Sequence, residues 1–120
     1  MTKEERQNKA RGLHADQHNC CQSVLLAYND KINIDAETAN RLAAPFGRGL
    51  SGQGELCGCV SAMAMVAGLT GNAAEVRALC DRFRNENGDI VCGRLLRMGK
   101  KPCREMVADA AGILSDLLDK

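Results

Sequence analysis

Aromatic side chains are nearly missing from this 120-residue sequence, which holds two Phe, one Tyr and no Trp. A core must then be assembled from Ala, Leu, Val, Met and Cys. Such residues pack as closely approaching helices, whereas a sheet sandwich draws on β-branched and aromatic ones, so the expected class is all-α. An excess of one charge sign is missing too. Sixteen basic against fifteen acidic residues leave a net charge of +1, and no overall field draws the chain to nucleic acid or to an anionic membrane. No apolar run reaches the roughly 18 residues of a membrane span, and the charged start Met1-Thr2-Lys3-Glu4-Glu5-Arg6-Gln7 has no secretory-type apolar stretch. The expectation is a soluble, cytoplasmic chain with no membrane or nucleic-acid partner. Repeats, linkers and low-complexity tracts are absent, so residues 1–120 read as one domain, long enough to bury a core without disulfides.

Cysteine, by contrast, is abundant. Seven thiols are an odd number, leaving at least one outside any set of intrachain bridges, and in a cytosolic chain metal or redox use outranks a disulfide framework. Glycine is concentrated as well. In Pro45-Phe46-Gly47-Arg48-Gly49-Leu50-Ser51-Gly52-Gln53-Gly54-Glu55-Leu56-Cys57-Gly58-Cys59 a glycine loop runs into two cysteines and then an apolar segment. Glycine accepts positive φ and lets other groups approach the backbone, which suits N–H groups facing an anion. The loop lacks the Gly-Lys-Ser/Thr ending of a phosphate-binding P-loop, and no strand is predicted before it.

The rest of the chain reads as helix. Lys3 to about Leu13 suits an amphipathic or partly frayed helix stopping at Gly12, and residues 1–18 are expected to be mobile or peripheral. Asn19 stands three residues before Gln22 in a capping-box variant, and Val24, Leu25 and Tyr28 supply an apolar face before Asn29-Asp30. Asp35 starts a helix that continues to Pro45. Cys57 to Ala67 is small and apolar nearly all round, the mark of a helix buried on most sides, with Gly68 as its stop. Asn72 is expected to cap a helix carrying Val76, Leu79, Cys80 and Phe83 that ends near Gly88. Asp89 is read as capping a short piece with Cys92, Leu95 and Leu96. Pro102 precedes Cys103 and the stripe Met106, Val107, Ala110, Ile113, Leu114, Leu117 of the last helix. The sum is a bundle of about five to six helices with the glycine loop ahead of a central buried helix.

Caps and cysteines together carry the sharpest reading. Cys20, Cys21, Cys57, Cys59, Cys92 and Cys103 are all expected in or beside the first turn of a helix, where unpaired N–H groups and the macrodipole lower a thiol's pKa and favour an anionic thiolate-ligated cluster. Cys80 alone sits mid-helix, on an apolar face where a cysteine acts as a small hydrophobe.

In these motifs the sequence resembles the redox-active proteins named for their C_GCAxxG_C_C cysteine pattern. The resemblance runs from about Asn19 to the C-terminus. It rests on Asn19-Cys20-Cys21-Gln22, on Phe46-Gly47-Arg48-Gly49-Leu50 through Glu55-Leu56-Cys57-Gly58, on Ala67-Gly68-Leu69, on Gly88-Asp89-Ile90-Val91-Cys92, and on Cys103. It implies a small helical protein with a redox or iron–sulfur role and marks Cys20, Cys57, Cys92 and Cys103 as the recurrent set, with Cys21, Cys59 and Cys80 added in this chain. Ser61-Ala62-Met63 depart from it, standing where a further glycine is expected.

Several uses of these thiols stay open. Cys57, Cys92, Cys103 and one of Cys20 or Cys21 suit a [2Fe–2S] or [4Fe–4S] cluster serving electron transfer or redox sensing. Cys57, Cys59, Cys92 and Cys103 are the set for a metal, zinc included, in a closed tetrahedron. Cofactor-free thiol–disulfide exchange would use Cys57 or Cys20 as attacking thiolate, and a helical interaction module would use the cysteines only for packing. The redox partner is not named by the sequence, nor is an enzymatic activity.

Other features read plainly. His14 and His18, spaced i, i+4 with Cys21 nearby, have the spacing of a metal site or haem contact but read first as solvated histidines. Asp16 and Glu55 have no carboxylate partner for acid–base work. The run Arg94, Arg97, Lys100, Lys101, Arg104 reads as a solvated helix end. The small apolar helix Cys57–Ala67 fits either a homodimer contact or burial within the chain.

Overall fold

Short polar side chains decide where the first three helices of this computed structural model begin; residues 1–119 are described. Thr2 and Glu5 form a capping box ahead of α1 (Lys3–Ala15), and Asn19 and Gln22 form another ahead of α2 (Cys20–Ala27). Asp35 accepts from Thr38 N at 2.7 Å to open α3 (Ala36–Ala43). There follow α4 (Gly58–Leu69), α5 (Val76–Asn87), α6 (Cys92–Met98) and α7 (Cys103–Leu118). The class is all-α as expected, with seven helices among the described residues in place of five to six. The extra count comes from α1 and from the short α6, both of which are fully formed.

Three boundaries differ from the sequence reading. α1 runs through Gly12 to Ala15, because its packing along α7 rewards the added length. Asn72 does not cap α5; its amide donates back to the Thr70 carbonyl, and a 3₁₀ turn, Ala73–Glu75, leads into the helix. Asp89 lies two residues ahead of the N-cap of α6, where its carboxylate accepts from Ile90 N and Val91 N.

The centre is α2, α4 and α7, with α1 laid along α7 and α3 and α5 closing the sides. Alanine makes this closeness available: Ala27, Ala62, Ala67, Ala110 and Ala111 are fully buried beside Val24, Leu25, Met63, Val66 and Leu114. The small apolar helix α4 is covered by α2, α5 and α7 of its own chain, which accounts for its composition without a second copy. The N-terminal helix, expected to be mobile or peripheral, is instead held through Arg6, whose side chain is fully buried against Asp30, Asp119 and the Ala27 carbonyl. Among the described residues no helix is long and apolar enough to cross a membrane.

Tyr28 shows how α2 and α7 are locked together. Its buried hydroxyl donates to the Ala111 carbonyl at 2.7 Å. Tyr28→Phe is expected to cost about 0.5–1.5 kcal/mol in a urea titration, because a buried hydrogen bond is lost while the Ala111 carbonyl keeps its place in the helix ladder. An unchanged midpoint would mean that water or another donor replaces it.

Candidate functional site

Four helix starts converge on one place. Cys20 is the first residue of α2, Cys57 is the N-cap of α4 with Cys59 two residues on, and Cys92 and Cys103 open α6 and α7. All five line a cavity of about 200 Å³ together with Arg48, Gly58, Leu95, Leu96 and Met106. Cys57 and Cys59 are 4% and 0% exposed, Cys92 is buried, and Cys20 and Cys103 are half-buried on the open side. All seven cysteines are free thiols.

The backbone that gathers them is unusual. Arg48, Gly49, Leu50 and Ser51 have φ of 54, 68, 70 and 53°, a full turn in the left-handed region, although three of them carry a Cβ. Hydrogen bonds within the loop hold this turn: Ser51 N donates to Pro45 O at 2.8 Å and Glu55 N to Gly49 O at 3.0 Å. The chain then pairs with the segment before α6. Cys57 N donates to Ile90 O at 2.8 Å and Cys92 N to Glu55 O at 2.7 Å, with Leu56 and Val91 forming an antiparallel bridge. Cys57 and Cys92 are thereby fixed relative to each other by main-chain bonds.

Two glycines allow the close approach. A Cβ on Gly49 would stand 2.4 Å from Glu55 N and 2.8 Å from Cys92 Cβ. One on Gly58 would meet Phe46 O at 3.0 Å, Cys21 N at 3.1 Å and Cys20 Cβ at 3.2 Å. The starts of α2 and α4 can therefore touch only because the second residue of the Cys57-Gly58-Cys59 run has no side chain.

Proximity then sets the protonation of the thiols. Hydrogen bonds from Cys103 and then Cys59, with a smaller contribution from His14, hold the Cys20 thiol far below its ordinary value. A hydrogen bond from Cys59 lowers Cys57. Cys59, hydrogen-bonded to Cys20 and Cys57 and completely enclosed, is raised and stays protonated. Cys103 is raised by its bond to Cys20 and by burial, and Cys92 is raised by burial. Within the cavity, Cys20 and Cys57 are thus the thiols shifted down and Cys59, Cys92 and Cys103 the thiols shifted up.

Cys21 does not belong to this wall. Its side chain turns into the core, 3.9 Å from the Met65 sulfur, and burial pushes its thiol up to about 12. Adjacent positions on a helix point about 100° apart, so only one of the Cys20-Cys21 pair can face the cavity. Cys80 sits partly buried on α5, away from the other thiols. A second groove adjoins the cavity and shares Cys20, Arg48 and Cys103 with it; His14, Gln17 and His18 form the rest of its wall together with Asn19. His18 Nδ1 lies 3.0 Å from the Leu13 carbonyl. The two histidines, read from the sequence as solvated, stand beside the open edge of the thiol site. Arg48 had no signal in the sequence, because only the left-handed turn carries it there.

Comparison with protein-family models gives one match, to the family described as "Putative redox-active protein (C_GCAxxG_C_C)", over residues 18–117. The chain belongs to this family. No curated protein and no solved structure matches it. Cys20, Cys57, Cys92 and Cys103, the set that the resemblance marked in the sequence, all line the cavity, and Cys59 is a fifth thiol in the same wall. The matched span begins ahead of α2, so α1 with His14 lies outside it.

The donor set can be judged against the groups it might serve by chemistry alone. Five thiols, an enclosed apolar lining and a single cation suit a sulfur-loving anionic group. A closed zinc tetrahedron would draw on the same thiols. With Zn–S near 2.3 Å its sulfurs lie roughly 3.8 Å apart, and among the described residues no group of three or more His, Cys, Asp or Glu side chains is arranged to hold a metal ion.

Proposed function

We propose that this protein is a redox protein whose cavity holds an iron–sulfur cluster through Cys20, Cys57, Cys92 and Cys103, serving electron transfer or redox sensing. The observation that carries the reading is the meeting of cysteines from four separate helix starts on one largely apolar cavity. The starts of α2, α4 and α7 offer unpaired N–H groups and the positive end of a dipole to an anionic centre, whereas at α6 Cys92 N and Gly93 N are already bonded to the Glu55 and Gly54 carbonyls. Arg48 adds a full positive charge at the rim. Cys59, fully buried in the same wall, adds a fifth thiol beside the other four, where an outer hydrogen bond would tune a sulfur-ligated centre. When bound, the cluster supplies one-electron chemistry. The chain's own part is to bind it, to exclude water through Leu95, Leu96 and Met106, and to leave one side open at Cys20 and Cys103.

Anaerobic reconstitution with iron and sulfide tests this. Wild-type protein is expected to turn brown, with charge-transfer absorption and matching iron and sulfide content. Cys20→Ser, Cys57→Ser, Cys92→Ser and Cys103→Ser should each lose most of the bound iron, while Cys21→Ser and Cys80→Ser retain it. Colourless, iron-free wild-type protein would sink the proposal, and equal loading by Cys20→Ser would remove Cys20 from it.

A second reading is favoured by the placement of Cys20 and Cys103 together, half-buried, on the wall shared by the cavity and the adjoining groove. In cofactor-free exchange the Cys20 thiolate would attack a disulfide, releasing one thiolate, and Cys103 would then resolve the mixed disulfide, leaving Cys20 joined to Cys103. Cys20 is better suited to attack than Cys57, which is only 4% exposed.

A further inference from the structure

The thiol cavity opens within a strongly basic stretch. From Cys92 to Arg104 the sequence has five basic residues and no acidic one, and the same stretch supplies Cys92, Leu95, Leu96 and Cys103 to the cavity wall. Arg48 faces it across the opening and lines both the cavity and the adjoining groove. Some of this charge is answered locally: Arg94 reaches Asp89 at 3.3 Å, Lys101 reaches Asp109 at 2.7 Å and Arg104 reaches Glu105 at 3.8 Å, and the loop after Arg48 carries one exposed carboxylate, Glu55. Arg48, Arg97 and Lys100 are exposed and make no ion pair among the described residues.

Apolar surface accompanies the charge. Leu96 lines the cavity yet is 58% exposed, Leu56 directly before Cys57 is 41% exposed, and Leu50 on the Arg48 turn is 42% exposed. Single exposed leucines are ordinary. Three of them on the segments that frame one cavity, with unpaired cations among them, have the composition of a docking face with an apolar centre and a charged rim.

The sign of the rim decides the occupant. A second copy would set this basic surface against itself, because a two-fold contact pairs a patch with its own image. A nucleic acid would leave the leucines against phosphate and would find no aromatic side chain on these segments for stacking. We propose that this face docks an acidic electron-carrier protein, whose carboxylates meet Arg48, Arg97 and Lys100 and whose apolar surface covers Leu50, Leu56 and Leu96. This rests on the redox reading of the cavity. One electron leaves the carrier's reduced cofactor and enters the centre behind Cys20 and Cys103; the carrier is oxidised by one electron, and no bond forms or breaks.

The probe is an acidic flavodoxin. Its reduced form is mixed by stopped flow with the full chain after iron and sulfide reconstitution, and its oxidised form is titrated into the ¹⁵N-labelled chain without reconstitution. The transfer rate is expected to fall about tenfold or more as salt rises from ~0.05 to ~0.5 M, since screening shortens from ~10 Å at 0.1 M and steering is worth 10–10³-fold in rate. Arg97→Glu with Lys100→Glu should lower the low-salt rate by a similar factor and leave the high-salt rate unchanged. Resonances in residues 48–56 and 92–104 should shift. Rates and shifts indifferent to salt and to charge reversal would overturn the proposal, as would equal binding of a basic cytochrome c or of duplex DNA. Failure to load iron would overturn the redox reading alone, because the titration still decides whether the face docks an acidic protein.

Discussion

Gly49→Ala is expected to destabilise the protein by about 2–5 kcal/mol and to abolish whatever the thiol cavity does. Gly49 has φ of 68°, where a Cβ costs about 1–2 kcal/mol. That Cβ would also lie 2.4 Å from Glu55 N and 2.7 Å from the Gly54 carbonyl carbon. Backbone atoms cannot swing aside as a side-chain end can, so overpacking adds about 1–3 kcal/mol. The third near atom is Cys92 Cβ at 2.8 Å, which means relief of the clash moves a cavity thiol. Gly52→Ala is the control. It has φ of 83° but open space around the added carbon, so it should show the conformational cost alone. Urea midpoints at constant m-value measure the two variants, and iron uptake reads the site. Equal effects of the two substitutions would mean that the loop yields and that Gly49 does not hold Cys92 in place.

Arg6→Ala is expected to cost about 3–5 kcal/mol at neutral pH, the effect of removing one partner from a buried ion pair. The Arg6 guanidinium donates to Asp119 at 3.0 and 3.1 Å, to Asp30 and to the Ala27 carbonyl at 2.9 Å, and it lies 4.3 Å from the centre of the Tyr28 ring. It ties α1, the end of α2 and the end of α7 into one knot. Without it Asp119, 5% exposed, keeps only Lys31 at 3.6 Å and Ser115 at 3.0 Å. The pH dependence carries a definite sign. Hydrogen bonds from Arg6 hold the Asp119 and Asp30 carboxyls below the ordinary value of 3.8. A carboxyl lowered on folding contributes stability that is complete above its unfolded pKa and is lost as pH falls through the folded one. Wild-type stability should therefore drop below about pH 4, and the gap between wild type and Arg6→Ala should narrow over the same range. A gap that stays constant to pH 2 would show that the arginine acts through packing alone.

Much of the helical plan was legible because it depends on neighbours in sequence. Asn19 with Gln22 and Asp35 with Thr38 satisfy N–H groups within three residues, so the caps of α2 and α3 could be read directly. Six cysteines at helix starts followed from the same local chemistry. Where a local signal competed with packing, it failed. Gly12 looked like a stop, yet α1 continues because docking on α7 rewards its length. Thr2 with Glu5 is as good a box as Asn19 with Gln22, and its signal was present in the first five residues. The peripheral reading of residues 1–18 missed Arg6, since a charged side chain looks solvated until two distant carboxylates are known to meet it.

The candidate site divides in the same way. The sequence alone determined that thiols would sit at helix N-termini, that a glycine loop would precede the buried helix, and that the cysteine pattern matched one family, because composition, caps and spacing are all local. Only the tertiary structure decided that Cys20 and not Cys21 faces the cavity, since a turn of about 100° between them matters only once α4 and α7 give each a side to face. It also decided that Arg48, His14 and the basic stretch after Cys92 stand around the same thiols. Those residues lie far apart along the chain, and what joins them is the approach of backbones at Gly49 and Gly58, a contact between distant segments that no local pattern encodes.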